Sequence, residues 1–182
     1  MREDVRALVL TGAGHAFCSG ADLAAEGGSS IGQDYDGVLG LPPQRRAAEL
    51  RRIGNNTRDG LLQHFHPLIR QIADHPKAVV CAANGTADGG VGLALACDIV
   101  LAARSGRFIQ VFAPRLGLVP DCGISWQLPR TVGHARSLAL TLLGEPVSAD
   151  EAERLGLIWR AVDDDALAGE AERAARGESR AR

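Results

Sequence analysis

Two stretches of this 182-residue chain, Leu10–Leu23 and Cys81–Leu93, share one logic. Each runs from an apolar strand pattern through a glycine-containing turn to a helix start. The first holds Gly12, Gly14 and Gly20; the second holds Gly85, Gly89, Gly90 and Gly92. A helix start leaves backbone N–H groups unpaired, and its dipole favours negative charge. Two such turns brought together would aim two N–H groups at one oxygen that gains charge during a reaction, the geometry of an oxyanion hole. Either stretch taken singly also allows a plainer role, in which the glycines only turn the chain.

Other chemistries fit the residues poorly. A dinucleotide fingerprint beginning at Gly12-Ala13-Gly14 needs its third glycine at residue 17, which is Phe17, and Asp34 and Asp36 fall in a loop rather than at a strand end. GK[ST] and HExxH are absent. His64 and His66 read as one packed and one solvated histidine on a helix, and no metal is expected. Cys18, Cys81, Cys97 and Cys122 form no CxxC pair and read as reduced thiols, without a zinc site or disulfide framework. A net charge of −2 gives no basic field for a nucleic-acid partner. No run of about 18 apolar residues offers a membrane span. The start, Met1-Arg2-Glu3-Asp4, lacks a signal core, so a cytoplasmic location is expected.

The elements that must position the glycine turns follow from periodicity. Val5–Leu10 and Ala78–Ala83 read as buried strands, and Asp98–Ala103 as a third. Residues 84–97, holding the helix Val91–Cys97, suffice for a helical crossover between parallel strands. Residues 24–60 read as a long mobile segment with one short helix near Arg45–Ile53, and Gly60–Ala73 as a helix interrupted by Pro67. Phe108–Phe112 is strand-like, and Leu116–Gly123 a loop. His134–Leu143 is a helix closed by Gly144. Ser148 and Glu151 form a capping box opening a helix that Gly156 ends. Leu157–Val162 is a last strand, and Asp163 begins a helix that ends in a charged tail.

Phe17-Cys18-Ser19-Gly20-Ala21-Asp22-Leu23, Ala82-Ala83-Asn84-Gly85 through Gly89-Gly90, and Leu93-Ala94-Leu95-Ala96-Cys97-Asp98-Ile99 resemble the crotonase (enoyl-CoA hydratase/isomerase) superfamily. So do Leu116-Gly117-Leu118-Val119-Pro120, Leu128-Pro129-Arg130, Val132-Gly133 and Gly144 through Ala149. The resemblance implies an α/β, single-domain, crotonase-like (ClpP/crotonase) β-β-α spiral, with a core over 1–165 and a charged helical tail over 166–182. It also implies an acyl-CoA thioester substrate, with coenzyme A part of that substrate and no separate cofactor, and a homotrimer or dimer of trimers. The backbone N–H groups of Ala21 and Gly89 would hold the thioester oxygen, and Ser19, Gly20, Asp22, Leu23 and Gly90 would line the coenzyme A and substrate site. The family's strands before Val5 and helices beyond residue 165 are missing, so the chain looks truncated at both ends.

Hydratases of this family resemble one another in two glutamates. The first position corresponds to Gly92, and the second falls within Phe108–Arg115, which holds no carboxylate. Asp121, in Val119-Pro120-Asp121-Cys122-Gly123, resembles the sole acid/base of the phenylacetate-pathway branch, the 2-(1,2-epoxy-1,2-dihydrophenyl)acetyl-CoA isomerases. An isomerase acting through a thioester enolate is therefore expected. The alternatives are a hydratase using Asp88 and Asp121, a non-catalytic acyl-CoA binder, and, for Asp121, a plain turn carboxylate after proline.

Overall fold

A computed structural model describes residues 4–20 and 35–177. Within these, the strands are β1 (Ala7–Thr11), β2 (Ala16–Cys18), β3 (Ala78–Ala83), β4 (Thr86–Ala87), β5 (Ile99–Ala103), β6 (Arg107–Phe108), β7 (Val147–Ser148) and β8 (Arg160–Val162). The helices are α1 (Tyr35–Leu39), α2 (Pro43–Gly60), α3 (His66–Ala73), α4 (Val91–Leu95), α5 (Phe112–Leu116), α6 (Ile124–Val132), α7 (His134–Leu143), α8 (Ala149–Leu155) and α9 (Leu167–Arg176). The chain forms two compact units, Met1–Gly20 with Ile69–Arg182, and Ala21–Leu68.

In the larger unit, β3 shows how the core arises. Its run of small and branched apolar residues suits a strand covered on both faces, and it is buried from Val79 onward. Successive strand side chains point to opposite faces. Val79, Cys81 and Ala83 therefore join one apolar cluster with Phe17, Val91, Ile124 and Leu128. Val80 and Ala82 join a second with Leu101, Val162, Leu167 and Ala171. Thus α9, in the segment expected as a charged tail, buries Leu167 and Ala171 against the sheet.

The first sheet is parallel and ordered β1–β3–β5–β8, with Leu10 opposite Cys81 and Cys81 opposite Val100. The second is ordered β2–β4–β6–β7 and is parallel except between β6 and β7. Each of β1, β3 and β5 is followed in the chain by a short strand of the second sheet, and β4 and β6 are followed by helices. This is the β-β-α spiral that the resemblance implied.

Several local expectations need correction. β1 is not a buried strand: it pairs, among the described residues, only with β3, and Leu8 and Val9 remain 39% and 43% exposed. The strand-like reading of Phe108–Phe112 holds for Phe108 alone, since Phe112 opens α5. Pro114 falls in that helix's first turn, where a missing N–H breaks no intrahelical bond. In the smaller unit α2 is longer than Arg45–Ile53 and runs through Gly60. A π turn at Leu61–Phe65 then leads into α3, with the His66 N–H donating to the Leu61 carbonyl. The wider turn accommodates Pro67 without ending the helix, a common use of such bulges.

Candidate active site

The two glycine turns meet, and Asn84 is the stitch. At the end of β1 the Gly12 N–H donates to Asn84 Oδ1 at 2.9 Å, and Asn84 Nδ2 donates to the Gly14 carbonyl at 2.9 Å. Thr11 Oγ1 donates to the Ala82 carbonyl at 2.8 Å. Pairing of β2 with β4 then carries both turns forward side by side, and the Asp88 N–H donates to the Cys18 carbonyl at 3.1 Å.

Beyond that bond the backbones touch. A Cβ on Gly20 would stand 2.9 Å from Gly89 Cα, and one on Gly89 would stand 3.1 Å from the Ser19 carbonyl oxygen. Gly20 also has φ +97°, open in practice only to glycine. A Cβ on Gly90 would meet the Cys18 side chain and lie 2.8 Å from its carbonyl oxygen. Ser19, Gly20, Gly89 and Gly90 are thus brought together. Ala21, Asp22 and Leu23 lie outside the described residues. Among the described residues, no oxygen accepts from the Gly89 N–H.

Asp121 stands at the first position of a tight turn. The Ile124 N–H donates to the Asp121 carbonyl at 2.9 Å, across Cys122 (φ 49°) and Gly123 (φ 82°). Two successive left-handed residues closed this way make a type I′ turn, which favours Asn, Asp or Gly at both centres. Cys122 is the one non-glycine residue with positive φ among those described. The turn launches α6, anchored by the fully buried Ile124 and Leu128. Burial pushes the Cys122 thiol up to about 12, helped by the neighbouring Asp121 charge and by the thiol's hydrogen bond to the Asp121 carboxylate.

α4 links this turn to the glycine turns. A Cβ on Gly92 would stand 2.7 Å from Cys122 Cβ, 2.9 Å from its carbonyl oxygen and 3.2 Å from Ile124 Cγ1. Cys18, packed against Gly90, also contributes to the field at Cys122. Gly89, Gly90, Cys18, Cys122 and Asp121 therefore form one neighbourhood around the head of α4.

Three further residues had no role assigned from the sequence. Asn84 and Cys122 act through partners distant in the chain. Gln110 is buried, and its Oε1, like the buried Oδ1 of the half-buried Asp88, has no hydrogen-bond partner among the described residues. A buried polar position within an apolar strand-like run was the available signal for Gln110. His64 lies in the π turn and His66 opens α3. Among the described residues no three metal-ligating side chains cluster, and no helix is long and apolar enough to cross a membrane.

Comparison with known proteins agrees with this geometry. Residues 47–178 match the family model described as enoyl-CoA hydratase/isomerase. The chain is 44% identical over 177 residues to the 1,2-epoxyphenylacetyl-CoA isomerase of Escherichia coli, covering 96% of this chain and 60% of that protein. It is also 44% identical over 164 residues to a Rhodobacter capsulatus protein named "Probable enoyl-CoA hydratase", covering 90% of this chain and 54% of the relative. An enoyl-CoA hydratase structure from Polaromonas sp. JS666 superposes with TM-score 0.73 at 31% identity, covering 94% of this chain and 59% of the other. A monofunctional enoyl-CoA isomerase from M. smegmatis superposes with TM-score 0.65 at 31% identity, covering 98% and 66%. The chain thus spans between about half and two thirds of the length of these relatives. With a crotonase-like α/β spiral, paired glycine turns and a family match over most of its length, the chain belongs to the enoyl-CoA hydratase/isomerase family.

Proposed function

We propose that this chain isomerises acyl-CoA thioesters through an enolate. The Gly89 N–H, with that of Ala21, receives the thioester oxygen as it gains charge. Polarisation of the carbonyl acidifies the neighbouring carbon, and Asp121 takes the proton there and returns it at a second carbon. One carboxylate suffices, and no group is needed beyond the coenzyme A carried by the substrate. The observation that carries the reading is Gly92, where the family's first hydratase glutamate would stand. A Cβ at that position would meet Cys122 and Ile124, which leaves no room there for that glutamate. The likeness to the E. coli isomerase favours a ring-epoxide phenylacetyl-CoA or a 3-enoyl-CoA as substrate.

A hydratase is the second reading, favoured by the partnerless buried oxygen of Asp88 beside Gly89 and by the Rhodobacter relative's name. Turnover in deuterated water with mass analysis of the products separates the two. Conversion of a 3-enoyl-CoA faster than hydration of crotonyl-CoA supports the isomerase. Dominant 3-hydroxyacyl-CoA overturns it in favour of Asp88 with Asp121, and binding without turnover would leave an acyl-CoA carrier. We also propose a homotrimer or dimer of trimers, supported by the exposed Leu138, Leu142 and Leu143 of α7, for which light scattering is the test.

A further inference from the structure

We propose that Cys122 is a positioning residue for Asp121: its side chain, held in a left-handed turn and seated on Gly92, fixes where the Asp121 carboxylate stands. This rests on the reading of Asp121 as the acid/base.

The backbone is the first observation. A type I′ turn at 121–124 would be met more easily by Asn, Asp or Gly at residue 122, because a Cβ in the left-handed region crowds the backbone. Cysteine has no such aptitude, yet it occupies that conformation and is buried. Unfavourable local conformations of this kind concentrate where the surrounding structure enforces them for a task.

The packing is the second observation. Gly92 lacks the atom that would collide with Cys122 Cβ, its carbonyl and Ile124 Cγ1. The absent side chain on α4 and the strained residue in the turn are complementary halves of one contact. Seated so, the thiol adjoins the Asp121 carboxylate, whose charge helps it keep its proton; the proposed role has the S–H donate to that carboxylate. The Asp121 Oδ1 atom is itself buried. A donor fixed by backbone geometry restricts the rotamers of the carboxylate it holds, and misplacement of a reacting group by about 1 Å can cost about 100-fold in rate.

The role predicts a pattern that simple packing would not produce. Cys122→Ala keeps the Cβ and the turn but removes the donor. It should lower kcat for 3-enoyl-CoA isomerisation by between about 10- and 100-fold, with KM within about twofold. Cys122→Ser, which restores a donor, should recover kcat to within about threefold of the parent chain. Cys122→Gly relieves the left-handed backbone yet should lose turnover as Ala does. Adding Cys122→Ala to Asp121→Asn should change kcat no further, as expected of residues acting as a unit. An infrared readout independent of activity completes the test. The S–H stretching band of Cys122, isolated by subtracting the Cys122→Ala spectrum, should move to higher frequency when Asp121→Asn weakens the acceptor. An unmoved band, or a kcat that merely follows thermal stability across Ala, Ser and Gly, overturns the proposal. An Asp121→Asn chain with undiminished turnover overturns the acid/base reading and the positioning role with it. An inactive Asn variant beside a fully active Ala variant overturns the positioning role alone.

Discussion

Gly20 and Gly89 each stand where the other's Cβ would have to be: 2.9 Å separates a Cβ on Gly20 from Gly89 Cα, and 2.8 Å a Cβ on Gly89 from Gly20 Cα. Neither can gain a side chain without parting the turns. The oxyanion reading needs the turns held together, so both positions are sensitive for one reason.

Gly89→Val should cut kcat/KM by about 2–4 kcal/mol of transition-state stabilisation, as loss of an oxyanion donor does. Gly20→Ala should show a loss of the same kind, because its φ of +97° adds strain to the collision. Steady-state kinetics with an unsaturated acyl-CoA decide the point, and wild-type constants in the Val variant would move the oxyanion donor elsewhere.

Asp121→Asn should retain acyl-CoA binding and lose at least about 100-fold in isomerisation, the usual contribution of a positioned acid/base. Calorimetric binding beside the activity assay separates the two effects. Full activity in the Asn chain removes Asp121 from the mechanism.

Gly92→Glu places a carboxylate where a hydratase has one, yet it should not create a hydratase. The new side chain meets Cys122 Cβ at 2.7 Å, so overpacking should cost about 1–3 kcal/mol. Thermal melting and crotonyl-CoA hydration measured on the same preparation check this. A stable variant with raised hydration would show that the turn yields.

Asn84→Ala removes the acceptor for the Gly12 N–H and the donor to the Gly14 carbonyl. About 1–3 kcal/mol of stability should go with it. Asn84→Asp, which keeps the acceptor and loses the donor, should fall between. Urea unfolding of the three chains gives the ranking.

Alkaline pH should destabilise the protein partly through Cys122. The folded thiol holds its proton to about 12, above the ordinary 9.0 for cysteine. The folded state therefore binds the proton more tightly, so this contribution is complete below about pH 9 and declines as pH rises from there towards about 12. Cys122→Ala should show a shallower loss of unfolding free energy between pH 8 and pH 10.5. Parallel slopes for the two chains would assign the alkaline loss to other groups.

What the sequence disclosed depended on how local the cause was. The bounds expected for Ala78–Ala83 match β3, because its apolar run is continuous and is bounded by Pro76-Lys77 and by Asn84-Gly85. The Ser148 cap, with the Glu151 N–H donating to Ser148 Oγ at 3.2 Å, and the left-handed Gly144 and Gly156 involve only near neighbours, and all three were legible. Two-residue strands such as β4 carry no periodicity and exist only through pairing, so they escaped notice. The exposure of β1 follows from its place at a sheet edge, which its own residues do not encode. At the site, the glycines announced their turns, but Asn84 binds groups 72 and 70 residues away, and the fit of Gly92 to Cys122 is a fact of three dimensions.

The stitching of residues 12–20 to residues 84–90 has a consequence for the segment between them. Residues 21–68 form their own compact unit, an excursion that leaves after Gly20 and returns at Ile69. The contacts of Asn84 with Gly12 and Gly14, and of Gly20 with Gly89, belong wholly to the other unit. Loop-closure entropy grows only logarithmically, by about 0.6 kcal/mol for each doubling of length. A flexible insertion at the ends of that excursion would therefore add little closure cost against the pairing of the two turns.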